Sequence, residues 1–214
     1  MVKVKICGIT RVDDLQAAID AGADSLGFIV DVPSSPRNLP YSKAKSLISQ
    51  AQKSVTTVAV TMFTDMEKLK QISTETNADY LQLHGLHYVH KSTLDSSLRR
   101  RIIAAVDARA EDALELAVAY SDVFTSILID TARDDGVGGT GIIHNWALSR
   151  RIRDAIYPAS SILAGGLTPE NVSEAIRVVK SYGVDVSTGV ERQPGIKDHQ
   201  KMREFIARAK EEKL

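Results

Sequence analysis

One cysteine, Cys7, occurs among 214 residues. A single cysteine cannot close an intramolecular disulfide, so nothing points to a secreted, disulfide-stapled scaffold. No apolar run is long enough to cross a bilayer, and the N-terminus carries no long apolar signal region. Neither charge is in surplus: 27 Lys+Arg stand against 27 Asp+Glu, so the basic footprint of a nucleic-acid-binding domain is missing. Cysteine and histidine do not occur at metal-ligand spacing, and His87 and His90 are three residues apart with no evident third ligand. No G-x-G-x-x-G follows the first strand-like run, which removes the commonest dinucleotide-binding form of an open α/β sheet. What remains is a cytoplasmic enzyme or binding protein, with no metal, nucleic-acid or membrane partner expected.

What is present is an alternation of two periods. Short, β-branched runs occur at 2–7, 25–30, 56–62, 79–84, 101–106, 126–130, 160–164 and 184–187. Between them lie helical stripes. Val12, Leu15, Ala18 and Ile19 form one, and Ala44, Leu47, Ile48 and Ala51 a second. Val172, Ala175, Ile176 and Val179 form a third, and Met202, Phe205, Ile206 and Ala209 a fourth. The helical pattern is weakest over 87–100. Thr168 followed by Pro169 predicts an N-cap and first helical turn, and Asp198 predicts the cap of the last helix. No linker or composition shift divides the chain. Eight strand–helix alternations predict an α/β protein, a (β/α)8 TIM barrel forming a single domain over 1–214.

Strand alternation then sorts the side chains, because neighbours in a strand point to opposite faces. Val4 and Ile6 share one face of the first strand, and Lys5 and Cys7 the other. The same alternation sets Gln82 and His84, Asp130, and Asp185 and Ser187 on the mixed faces of strands four, six and eight. The apolar faces belong under the helices, so the mixed faces point into the barrel. Burying unpartnered polar groups costs about 2–7 kcal/mol each. A cluster of them at C-terminal strand ends therefore marks a site. Plainer readings stand beside this one. Lys5 and Asp185 form an interior ion pair, His84 is a satisfied core histidine, and Cys7 is a small buried hydrophobe. Lys5 on the same face as Cys7 is, conversely, a setting that favours thiolate.

Three glycine-rich segments follow the late strands: "TARDDGVGGTG" (131–141), "GGL" (165–167) and "TGVE" (188–191). Glycines let backbone N–H groups close around an anion, and the loops after strands seven and eight are the usual phosphate site of a barrel. Tight turns alone would also explain them.

With these residues in view, the chain resembles the phosphoribosylanthranilate isomerase family of tryptophan biosynthesis. The likeness spans nearly all of it: "KICGIT" (5–10), "GADSLGF" (22–28), "SPR" (35–37), "QLHG" (82–85), "LIDT" (128–131), "GGTG" (138–141), "LAGGLTPENV" (163–172), "GVDVSTGVE" (183–191) and "GIKD" (195–198). The resemblance implies an Amadori rearrangement of N-(5-phosphoribosyl)anthranilate to 1-(2-carboxyphenylamino)-1-deoxyribulose 5-phosphate, without cofactor or metal. It implies that Cys7 is the general base and Asp130 the general acid. Arg37 matches the arginine that anchors the substrate carboxylate. Gln82, His84 and Asp185 are expected to contact substrate, and Gly138, Gly139, Gly165, Gly166, Gly189 and Val190 to grip its phosphate. The chain departs from the family pattern at 31–40, 61–65 and 86–91, which bears on the aromatic pocket. A homodimer remains open. Two other classes of function are a Schiff-base lyase or aldolase using Lys5 and a non-catalytic phosphate-ligand binding protein.

Overall fold

Eight parallel strands close into a barrel in chain order: β1 (Lys3–Ile6), β2 (Ser25–Ile29), β3 (Thr56–Met62), β4 (Tyr80–His84), β5 (Ile102–Asp107), β6 (Ser126–Asp130), β7 (Ser160–Leu163) and β8 (Gly183–Val186), with β8 returning to pair with β1. The computed structural model describes residues 1–51, 54–86, 96–131 and 145–213. Around the barrel lie α1 (Val12–Asp20), α2 (Tyr41–Ala51), α3 (Met66–Thr76), α4 (Ser96–Arg100), α5 (Ala113–Ser121), α6 (Trp146–Ala155), α7 (Val172–Val179) and α8 (His199–Glu211). A 3-10 turn (Thr188–Val190) and an antiparallel hairpin, β9 (Glu191–Gln193) with β10 (Ile196–Lys197), sit between β8 and α8. The expected TIM barrel is what forms, with strand limits within a residue or so of those read from the sequence.

Two apolar layers hold it. The larger lies between sheet and helices, where Val4, Ile6, Leu81, Leu83, Ile127, Ile129, Val184 and Val186 meet the helical stripes. Each such side chain contributes on the order of 1.5–3 kcal/mol when fully buried. The smaller lies inside the barrel and consists of Cys7, Val58, Val60, Ile103, Ala105, Leu128 and Ala164. That interior layer is lopsided. Branched apolar side chains fill it from β3, β5 and β6, while β1 and β8 contribute ionic ones.

Caps follow the sequence at α8, where the Asp198 carboxylate accepts from the Gln200 and Lys201 N–H groups at 3.0 and 3.1 Å. They do not at α7. Thr168 was expected to cap that helix, but it begins at Val172 with Asn171 before it. The Asn171 carboxamide is used elsewhere: its Oδ1 accepts the Thr168 N–H at 2.8 Å and its Nδ2 donates to the Gly166 carbonyl at 2.9 Å. Thr168 accepts from Glu170 N–H in a separate turn. The residues that should have started the helix instead brace the glycine loop after β7. Of the weakly helical stretch 87–100, residues 87–95 lie outside the described residues, and 96–100 form α4.

Two cavities mark the ends of the barrel. One, at the C-terminal strand ends, is lined by Cys7, Arg37, Gln82, His84, Asp130 and Asp185. The other, at the N-terminal ends, is lined largely by hydroxyls, including Ser25, Thr56, Tyr80, Ser126 and Ser160. Lys5 reaches into the second from between the two.

Candidate active site

β1 and β8 set the centre of the upper cleft. Lys5 and Asp185 are register partners on these strands, and their side chains pair at 3.0 Å, both buried. The interior ion pair anticipated from the sequence is therefore present. Cys7 follows Lys5 two positions on, and is itself buried. Room for both comes from Gly27 on β2, where a Cβ would stand 2.8 Å from Cys7 Sγ and 3.0 Å from Lys5 Nζ. Only a residue without a side chain fits there.

Burial sets the proton affinities. It pushes the Cys7 thiol above its ordinary range; Lys5 and Lys197 pull it back, Asp185 adds to the rise, and the net direction is up. This corrects the expectation that Lys5 yields a thiolate: loss of water outweighs the ammonium. On Asp130, burial and then the Asp185 charge lift the carboxyl to about 7, against the Thr131 N–H and Lys5. That N–H donates to Asp130 Oδ1 at 2.7 Å. An acid placed there retains a proton at neutral pH.

His84 is held neutral, pushed down to about 4 by burial and then by Lys5. Its Nε2 lies 2.9 Å from Gln82 Nε2. The amide nitrogen only donates, so His84 Nε2 accepts and its proton sits on Nδ1. Gln82 Oε1 and Ser187 Oγ are buried with no hydrogen-bond partner among the described residues. Both residues line the cleft, so a ligand hydroxyl would satisfy them.

Arg37, from the loop after β2, enters from the side. Its Nε and Nη2 donate to Glu191 Oε1 and Oε2 at 2.8 and 2.6 Å, and Nη2 also donates to Thr188 Oγ1 at 3.2 Å. Lys197 Nζ completes the cluster, 2.9 Å from Glu191 Oε1 and 3.2 Å from the Ser187 carbonyl. Behind it, buried Asp14 accepts the Lys197 backbone N–H at 3.1 Å and meets His199 Nε2 at 2.8 Å. Glu191, Lys197 and Gly27 were not singled out in the sequence. The first two stand in the "TGVE" and "GIKD" segments, and Gly27 in "GADSLGF", so the signal was present as motif membership without a role.

The glycine loops converge at one rim. Gly165 and Gly166 have φ of +80 and +65°. A Cβ on Gly165 would strike Thr131, and one on Gly189 would strike the Leu167 carbonyl. These glycines let the loops after β6, β7 and β8 touch. Gly165, Gly166 and Gly189 line the cleft, whereas Val190 is fully buried behind it, its N–H directed at the Ser187 carbonyl. Gly138 and Gly139 lie outside the described residues, as does 87–91 of the divergent segment 86–91. Val32, Thr61 and Met62, from the other two divergent segments, line the cleft.

Among the described residues, no cluster of three His, Cys, Asp or Glu side chains could hold a metal, and no helix is long and apolar enough to cross a membrane. Such a site can move protons at one polar face and hold an anion at another.

Comparison with known proteins points the same way. The model of the N-(5'-phosphoribosyl)anthranilate (PRA) isomerase family matches residues 4–208. A relative from Haloferax volcanii, N-(5'-phosphoribosyl)anthranilate isomerase, is 45% identical over 213 residues, covering 98% of this chain and 94% of its own. Monomers generated from the dimeric phosphoribosylanthranilate isomerase of Thermotoga maritima share 34% identity at a TM-score of 0.82, over 99% of this chain and 100% of theirs. A phosphoribosylanthranilate isomerase in complex with reduced 1-(o-carboxyphenylamino)-1-deoxyribulose 5-phosphate matches with the same identity, 34%, a TM-score of 0.82, and coverage of 99% and 100%.

Proposed function

The chain belongs to the N-(5'-phosphoribosyl)anthranilate isomerase family, enzymes of tryptophan biosynthesis, and from that premise we propose that its cleft runs an Amadori rearrangement between Asp130 and Cys7. Asp130 gives its proton to the furanose ring oxygen of phosphoribosylanthranilate. The C1–O bond breaks, and the nitrogen lone pair forms a Schiff base. Cys7, as thiolate, removes the proton from C2, which the iminium has made acidic. The electron pair moves to give an enolamine; Cys7 returns its proton to C1 while the C2 hydroxyl gives up its own, ultimately to Asp130, which yields the aminoketose and restores both groups. Arg37 holds the anthranilate carboxylate, Gln82 and His84 meet the sugar hydroxyls, and the loops carrying Gly165, Gly166 and Gly189 hold the phosphate. The substrate is a small phosphorylated molecule, no cofactor or metal takes part, and the setting is cytoplasmic. The dimeric T. maritima relative makes a homodimer the assembly we propose to test by light scattering.

The observation that carries this reading is the buried carboxyl of Asp130, kept protonated near neutrality across the barrel from a buried thiol. A protonated acid is what ring opening requires. The base is the costlier partner. With burial holding the thiol above its usual range, the thiolate is the minority form in the free enzyme near neutrality. Lys5 fits a supporting role better than a Schiff-base one, because Asp185 and Cys7 keep its amine charged despite burial.

The test is loss of phosphoribosylanthranilate fluorescence on adding protein, with Cys7→Ser and Asp130→Asn beside the parent. The parent consumes the fluorescence. Each variant binds the reduced product analogue but turns over roughly 10²–10⁴ times more slowly, the range for one acid–base group. Near-normal turnover in Cys7→Ser overturns the base assignment. Binding without turnover in the parent makes this a phosphate-ligand binding protein, and borohydride trapping at Lys5 makes it a lyase.

A further inference from the structure

The geometry points to Glu191 and Lys197 as positioning residues for Arg37: an internal carboxylate, fixed from behind by the buried Lys197 amine, takes one edge of the guanidinium so that the other is presented to the substrate carboxylate. The inference rests on the reading of Arg37 as the carboxylate anchor and adds what makes that anchor selective.

A guanidinium offers a carboxylate two parallel donor pairs, Nε with Nη2 and Nη1 with Nη2. Glu191 occupies the first pair with both oxygens, at 2.8 and 2.6 Å. Nη1 makes no hydrogen bond among the described residues, and Arg37 lines the cleft while Glu191 and Lys197 do not. The guanidinium plane is thus fixed by the edge facing away from the ligand. A free arginine on a loop would spend binding energy on ordering its side chain, and one clamped in advance does not.

The charges argue the same way. Arg37 and Lys197 are both within reach of the one carboxylate, and the side chains of Lys197, Glu191 and Arg37 are 0, 3 and 9% exposed. A clamp serving only to staple the hairpin β9–β10 would need one cation. With two, one carboxylate faces two basic side chains in a place where charge is costly to bury, and burial draws the Lys197 amine below its ordinary range against the pull of Glu191. Asp14 meets the backbone of Lys197 and faces His199, not the amine. A carboxylate ligand on the open edge of Arg37 brings a second carboxylate to a cluster that holds two basic side chains and one carboxylate of its own. The same cluster fixes the loop that carries Gly189, through Thr188 Oγ1 and the Ser187 carbonyl.

The experiment compares two reduced product analogues, one bearing the ring carboxylate and one with a plain phenylamino ring. Dissociation constants are measured for the parent, Arg37→Ala, Glu191→Gln and Lys197→Met. We expect Glu191→Gln and Lys197→Met each to weaken the carboxylate analogue about tenfold more than the plain one, the scale of one charge-assisted hydrogen bond; a loss shared by both analogues reads the hold of the cluster on the Gly189 loop. KM should rise in both with kcat nearly constant, and Arg37→Ala combined with Glu191→Gln should lose no more than Arg37→Ala alone. Equal weakening of both analogues, or of neither, beside a selective Arg37→Ala overturns the inference and leaves the anchor standing. An Arg37→Ala that does not discriminate overturns the anchor and the inference with it. Should Glu191→Gln fail to fold, Glu191→Asp keeps the charge, shortens the reach and is judged by the same criteria.

Discussion

On β1 two lysines sit two residues apart, and each reaches an aspartate at 3.0 Å. Lys3 and Asp24, at the N-terminal mouth, keep 54 and 22% of their side chains in solvent; Lys5 and Asp185, inside, keep 3 and 8%. Equal distance conceals unequal physics. In water the first pair gains about 0–1 kcal/mol, because solvent screens it and two long side chains must be ordered. The second has left water altogether, so its members need each other. The same contrast runs through the two cavities. Hydroxyls line much of the lower one beside Lys3, Asp24 and Lys5, while the upper one gathers Asp185, Arg37 and Asp130, all buried. A protein that wanted only a stable barrel would fill both with branched apolar side chains. Buried carboxyls together with a buried guanidinium, gathered at the C-terminal mouth, set the proposed active cleft apart.

Removing one partner of the inner pair should break the contrast most severely. Lys5→Met leaves Asp185 buried without its cation, and urea denaturation at pH 7 should show a loss of about 3–5 kcal/mol. A loss below about 1 kcal/mol would mean the interior is wetter than its burial implies. Asp130→Asn should act in the opposite direction. Its carboxyl titrates at about 7 in the fold against 3.8 ordinarily, so the native state binds the extra proton. Wild-type stability therefore falls as pH rises from about 4 to 7 and stays lower above that window. The amide does not titrate. The variant should be the more stable by about 2–4 kcal/mol at pH 8, with no advantage below pH 4. A flat difference between the two pH values would show that the gain has nothing to do with the proton. The smallest effect belongs to the outer pair: Lys3→Met should change stability by no more than about 1 kcal/mol, checked by the same denaturation.

Strand alternation was enough to put Lys5, Cys7, Gln82, His84, Asp130 and Asp185 in one interior, because period two is a local property and the barrel preserves it. Family likeness was needed for Arg37, which lies in a loop where no period operates. Neither could reach Glu191 and Lys197 as partners of Arg37. Their hairpin lies outside the barrel strands, and the Arg37–Glu191 bond joins residues 154 apart. Gly27 needed the register of β1 on β2 before its missing side chain acquired meaning. The direction of the Cys7 shift was hidden for another reason. Spacing shows that a lysine is near, but the opposing penalty depends on how much water the closed fold removes. At Thr168, local cap chemistry was read correctly as a preference and overridden by the hold of Asn171 on Gly166.

The hydroxyl of Thr10 donates to the Gly195 carbonyl across 185 residues, and Asp14 meets Lys197 across 183. These contacts, like the β1–β8 pairing, give the site a place in time. Loop closure over such separations is slow and gains nothing until it is complete. A chain leaving the ribosome exposes Cys7 just after β1 and must wait for β8, the last strand of the barrel, to cover it. Until then Cys7 is an ordinary surface thiol with an ordinary proton affinity. Its chemistry is acquired at the closing event, so rising resistance of Cys7 to alkylation during refolding is a clock for the moment the ring shuts.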